Sequence, residues 1–210
     1  MKYLKKISNI HFLILFCLFL FIVRVKLTGS LFFGFLLWNL FLAMVPYLIS
    51  LKIKRLNFEK ITKPKLISLL FIWLIFLPNA PYIITDFIHL HHIKSTLVWL
   101  DLFIIFAYAS TGLCITILSL FDVYKIIKQK WNLKYANYFS YAVTFLCGFG
   151  IYLGRFLRLN SWDIFTNPIT VLKKSMYSFN DAKTWLVTFG FGTFIYLLFS
   201  IWKTQANAHS

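Results

Sequence analysis

An all-α, polytopic membrane bundle of about six helices is predicted by three features of the sequence. The 210-residue chain is 60% hydrophobic, 20% aromatic and only 13% charged. A soluble domain runs at roughly 45–50% apolar and about 25% charged. The apolar residues fall in runs that match the about 20 helical residues needed to cross a bilayer core of roughly 30 Å. The charge is lopsided, 22 Lys+Arg against 6 Asp+Glu for a net +16. These basic residues sit between the apolar runs, not as an exposed stripe on a soluble fold, so no nucleic-acid partner is expected. The composition also excludes a disordered tail and a disulfide-stapled secreted module.

Six spans are expected, over 7–23, 27–51, 66–82, 97–120, 138–154 and 184–202, within one transmembrane domain covering 1–210. Lipid offers no partner for backbone N–H and C=O groups, so each span must be helical. The first run is short and follows Lys2, Lys5 and Lys6, as a signal peptide would. Arg24 and Lys26 follow it at once and a second span begins at Leu27, which favours an uncleaved first helix. Cys17, Cys114 and Cys147 lie in different spans, with no metal or redox spacing, and read as small hydrophobes.

Lysine and arginine are retained in short cytoplasmic loops. With the N-terminus inside, the inner side carries the dense clusters Lys2 to Lys6, Lys52 to Lys65 and Lys125 to Lys134, and then Lys203. The outer side carries the scattered Arg24, Lys26, Lys94, Arg155, Arg158, Lys173, Lys174 and Lys183. Both termini are therefore expected inside, with anionic lipids against the inner loops. Asp86, Asp101, Asp163 and Asp181 fall outside, as do His89, His91 and His92. The outer face thus holds most of the chemically varied residues.

Two outer segments carry the candidate site. In Leu77-Pro78-Asn79-Ala80-Pro81-Tyr82, each proline removes a donor and disfavours helix before it, so the third helix is expected to break near Leu77. Asn79 has donors and an acceptor for the loosened backbone. A short helix capped by Thr85 is then expected, placing Asp86, His89 and His92 on one face. That set suits a divalent metal or, as Asp86 with His89, an acid/base pair. The rival reading is solvated or mutually bonded side chains. In the second segment, Gly150 and Gly154 form a small-xxx-small pair for close packing. Arg155 and Arg158 follow on the outer side, against the positive-inside bias. They need either a partner among Asp86, Asp101 and Asp163 or an anionic ligand, which arginine's planar fork suits. Asp101 is a site candidate by its place just inside a span, or a helix-start acid held by the macrodipole. Asn160 and Asp163 complete the set, with Trp162 as an interfacial anchor. Past them, Asn167-Pro168 should cap and open an amphipathic helix over 168–178. It carries Ile169, Leu172 and Met176 on one side and lies on the outer leaflet or over the site.

The stretch Leu77 to Leu90, with Gly154-Arg155-Phe156-Leu157-Arg158 and Asn160-Ser161-Trp162-Asp163, resembles the bacterial membrane proteins of the domain-of-unknown-function 1361 family. Leu159 departs from it, standing where a second aromatic is expected. The resemblance implies a multi-pass bacterial membrane protein and assigns no catalytic residue.

The expected site has Asp86, His89, Asp101 and Asp163 as catalytic candidates. Asn79, Arg155, Arg158 and Asn160 are the binding candidates. Its expected role is to bind or act on an anionic lipid or lipid-linked group. A non-catalytic assembly subunit is the alternative reading. A small transporter ranks below both, because the span centres are almost purely Phe, Leu and Ile. Dinucleotide, P-loop, zincin and nucleophile-elbow motifs do not occur.

Overall fold

The computed structural model describes residues 2–56, 61–92 and 97–208, with side chains over 10–56, 61–88 and 97–206. Every regular element among the described residues is helical. In chain order these are α1 (Lys2–Thr28), α2 (Gly34–Arg55), α3 (Lys63–Phe76), α4 (Asn79–Tyr82), a 3-10 segment (Ile83–His92), α5 (Val98–Lys130), α6 (Leu133–Phe156), α7 (Asp163–Thr166), α8 (Pro168–Ser178) and α9 (Ala182–Ala208). Among the described residues, five stretches are long and apolar enough to cross a membrane: Ile10–Thr28, Gly34–Arg55, Lys63–Ile88, Val98–Lys130 and Ala182–Ala206. The chain is therefore a polytopic helical bundle. The remaining expected span, 138–154, is helical within α6 but is not among these five. Its run is diluted by Ser140, Thr144 and three glycines.

α5 is the axis of the bundle. Of its apolar window 61% is buried, against 22–39% in the other four stretches, and it packs on α1, α2, α4, α6 and α9. Its buried face carries Ile104, Ile105, Tyr108, Ile115 and Leu120. Phe12, Leu15, Phe41, Phe71, Phe103 and Phe189 point outward, as side chains facing lipid do. A buried chain of hydrogen bonds ties three helices: Trp73 Nε1 donates to Ser119 Oγ at 2.8 Å, and Ser119 Oγ donates to the Pro46 carbonyl at 3.1 Å. Cys17 and Cys147 are buried, whereas Cys114 is exposed on the bundle surface. α6 lies along α9 so closely that a Cβ at Gly148 would collide with the Thr188 carbonyl oxygen.

Two local expectations need correction. α1 does not stop before Arg24 but continues to Thr28, turning at Gly29 (φ 65°), so that α2 begins only at Gly34. Arg24 is thus a helical, buried residue and not a loop marker. At the two prolines the α-pattern lapses after Phe76, yet the chain stays helical. Leu77 and Pro78 keep right-handed helical angles, and Ala80 N–H bonds to Leu77 O at 3.3 Å. The path then tightens into the 3-10 segment. Thr85 caps nothing; its hydroxyl donates to Tyr82 O. Tightening to i−3 bonds lets the backbone absorb proline's missing donors without unwinding.

Candidate functional site

A cavity of about 760 Å³ opens at one end of the bundle. Its walls are the first turns of α2, the α3–α4 junction, the C-terminal half of α6 and the segment running from Arg158 into α7 and α8. All four binding candidates, Asn79, Arg155, Arg158 and Asn160, line it. Gly150 and Gly154 allow α6 to come this close. A Cβ at Gly150 would run into the Pro78 ring, and one at Gly154 would stand 3.2 Å from Tyr82 Cε2.

Asn79 does at the proline break what its chemistry allows. Its Nδ2 donates to Phe76 O at 2.9 Å and to Ser161 Oγ at 2.9 Å. Ser161 Oγ in turn donates to Ile75 O at 3.0 Å. Two carbonyls at the end of α3 are thereby satisfied, Phe76 O by Asn79 and Ile75 O by Ser161, and the Asn79–Ser161 bond clamps the 158–162 segment over the cavity.

Arg155 lies between the cavity and a buried acid. Its Nη1 is 3.6 Å from Asp86 Oδ1 and donates to Tyr82 OH at 3.4 Å. Asp86 is 1% exposed, and its Oδ2 accepts from Asn39 Nδ2 at 2.9 Å. The contact between arginine and aspartate is long for a charge-assisted hydrogen bond, so Arg155 is only loosely held.

Arg158 differs from every other non-glycine residue described: its φ is +54°. It stands just past the end of α6, where glycine is the usual choice because it has no Cβ to clash. An arginine there costs about 1 kcal/mol in backbone strain. Its side chain is exposed, and among the described residues it makes no hydrogen bond or ion pair. Leu159 N–H closes the helix end on Leu153 O at 3.1 Å.

Two catalytic candidates belong elsewhere. Asp101, fully buried, is gripped by Arg24, with Nε to Oδ1 at 2.6 Å and Nη2 to Oδ2 at 3.4 Å. Arg24 also bonds Thr28 Oγ1 and lies over the Phe33 ring. The expected partners of Asp101 were a helix dipole or the C-terminal arginines of α6; the actual partner is 77 residues earlier. Asp163 accepts from the Asn160 N–H at 2.7 Å, fastening a turn, and does not line the cavity. The side chains of His89 and His92 lie outside the described residues. Among the described residues no group of three or more His, Cys, Asp or Glu could hold a metal.

Tyr82, Ser161, Asn39 and Trp38 also line the cavity. Their signal in the sequence was faint. Asn39 is an isolated amide in an apolar run, and Trp38 reads as an ordinary anchor until its ring meets Trp162 edge-on at 6.4 Å.

α8 begins at Pro168, but Asn167 makes no side-chain cap. Its Val171 lines the cavity, while Ile169, Leu172 and Met176 point away from the bundle. Asp181 starts α9, accepting from the Lys183 N–H at 2.9 Å, a bond that holds its carboxyl below the usual carboxylate range. At the opposite end of the bundle, Lys54 pairs with Asp122 at 2.9 Å and Lys203 donates to Asn137.

A family model described as "Protein of unknown function (DUF1361)" matches residues 38–198, a stretch that includes every cavity-lining residue named above. No curated protein and no solved structure matches the chain.

Proposed function

From the premise that the chain belongs to the DUF1361 family, we propose that this multi-pass membrane protein binds the anionic head group of a lipid or lipid-linked molecule in its cavity. Arg158 carries the reading. An arginine held in a strained, glycine-favouring conformation on a cavity wall, without a partner among the described residues, is an outlier that points to a ligand. Arg155 adds a second fork, and Asn79 and Asn160 add amides. Such groups suit a phosphate or carboxylate.

With both termini in the cytoplasm of a bacterial cell, the cavity opens at the outer face and the lysine-rich end lies against anionic inner-leaflet lipid. A reporter active only outside, fused after Lys94, then gives signal, and one fused after Lys63 stays silent. The ligand reading is tested by native mass spectrometry of the full chain with equal phosphatidic acid and phosphatidylcholine. Phosphatidic acid is retained preferentially by the wild type, and Arg155→Gln with Arg158→Gln abolishes the preference. Equal retention of both lipids by the wild type contradicts the reading.

A non-catalytic assembly role is the second reading. It draws on the commitment of Asp101 and Asp163 to structural contacts and on Asp86 being paired with the cavity-lining Arg155. On that reading, exchanging charges at Asp86 and Arg155 together restores protein levels lost in either single variant.

A further inference from the structure

The cavity is long and changes character along its length. On α6, Leu146 is nine residues before Arg155, which sets it about 13 Å down the helix axis at 1.5 Å per residue. Leu42 of α2, Leu74 of α3 and Phe149 of α6 line the same space. The arginine end is therefore polar and the far end is hydrocarbon. The cavity is also open along its side: Leu146 toward the hydrocarbon end is 49% exposed, and Trp38, beside Asn39 at the arginine level of the α2 wall, is 53% exposed, as lateral surfaces of a membrane bundle are. A water-soluble anion uses only the arginine end. The volume falls within the roughly 300–1,000 Å³ of small-molecule sites.

We infer that the ligand is a single-chain anionic amphiphile, with its phosphate or carboxylate head at Arg155 and Arg158 and its hydrocarbon chain in the trough of Leu42, Leu74, Leu146 and Phe149. It enters laterally from the bilayer between α2 and α6. This rests on the head-group reading above and extends it to the tail and the route. In lipid a chain gains little from leaving its neighbours, because the tails are as apolar as leucine. Selection must therefore come from the head, and residence of the chain in the trough must depend on the arginines.

That dependence is testable on the full chain in phosphatidylcholine nanodiscs. Three probes share one chain with a photoreactive group near its end and differ only in head: monophosphate, carboxylate or phosphocholine. At least one anionic probe labels Leu42, Leu74 and Leu146 about tenfold more than the phosphocholine probe, the ratio that one charge-assisted hydrogen bond supports. The preferred anionic head identifies the ligand class. Labelling at lipid-facing Phe103 is the same for all three. Arg158→Gln removes the preference in the trough. Leu146→Trp, which fills the trough, lowers labelling at Leu42 and Leu74 but still lets glycerol 1-phosphate shield Arg158 from phenylglyoxal. Head-blind labelling of the trough overturns the inference. If shielding by glycerol 1-phosphate persists in that case, the head-group reading survives alone; if shielding is absent as well, both fall.

Discussion

Arg24 and Arg155 each face a buried aspartate, but the approach is 2.6 Å in one pair and 3.6 Å in the other. Arg24 is enclosed, bonded by two of its nitrogens to Asp101 and stacked over Phe33. Arg155 is more exposed, shares its Nη1 between Asp86 and Tyr82, and lines a cavity. Asp86 moreover has Asn39 as a second partner. The same two residue types thus do two jobs. The closed pair fastens α1 to α5. The loose pair holds an arginine beside the cavity, where the proposed ligand would compete with Asp86 for it.

Breaking the closed pair has the largest expected effect. Asp101→Ala strands a buried guanidinium and costs about 3–5 kcal/mol, read as a collapse of the thermal unfolding midpoint in detergent. Replacing both partners with Arg24→Met and Asp101→Leu recovers most of that loss, because no charge is left unpaired. If Asp101→Ala unfolds at the wild-type temperature, the pair is not the fastener described.

The clamp over the cavity comes next. Asn79→Ala leaves Phe76 O without its side-chain donor and Ser161 without its Asn79 contact, for about 1–3 kcal/mol. The unfolding midpoint falls, and hydrogen exchange rises in 158–162 before it rises in α5. Uniform exchange across both segments argues against a clamp.

The loose pair behaves in the opposite way to the closed one. Asp86→Asn keeps the shape and the Asn39 neighbour, lowers the unfolding midpoint far less than Asp101→Ala does, and releases Arg155 from its resident anion. Retention of phosphatidic acid rises severalfold. A fall in retention shows that Asp86 serves to orient Arg155 instead of competing for it.

What could be read from the sequence follows the range of the forces involved. The polytopic helical bundle was legible because lipid forces long apolar helices. Asn79 was legible because the prolines and the amide that repairs them are neighbours in sequence. Arg24 was misread because a cation between two apolar runs looks like a loop. Its acid is 77 residues away, and nothing local marks the pairing. Asp86 stood among the partners expected for Arg155, but residue type says nothing of whether a pair is tight or loose. On α8 the periodicity gave the apolar stripe of Ile169, Leu172 and Met176 but not the direction it faces. The left-handed turn at Arg158 was hidden because glycine, the usual marker of such a turn, is not there.

That position tests the central claim most directly. Arg158→Gly relieves the backbone and removes the guanidinium in one step, and two readouts separate the effects. Thermal unfolding is expected to rise, by about 1 kcal/mol of added stability, while retention of anionic lipid falls about tenfold. Stability up and binding down means that strain at Arg158 is maintained for a ligand. Stability up with binding unchanged contradicts the account, because the arginine then contributes nothing that glycine lacks.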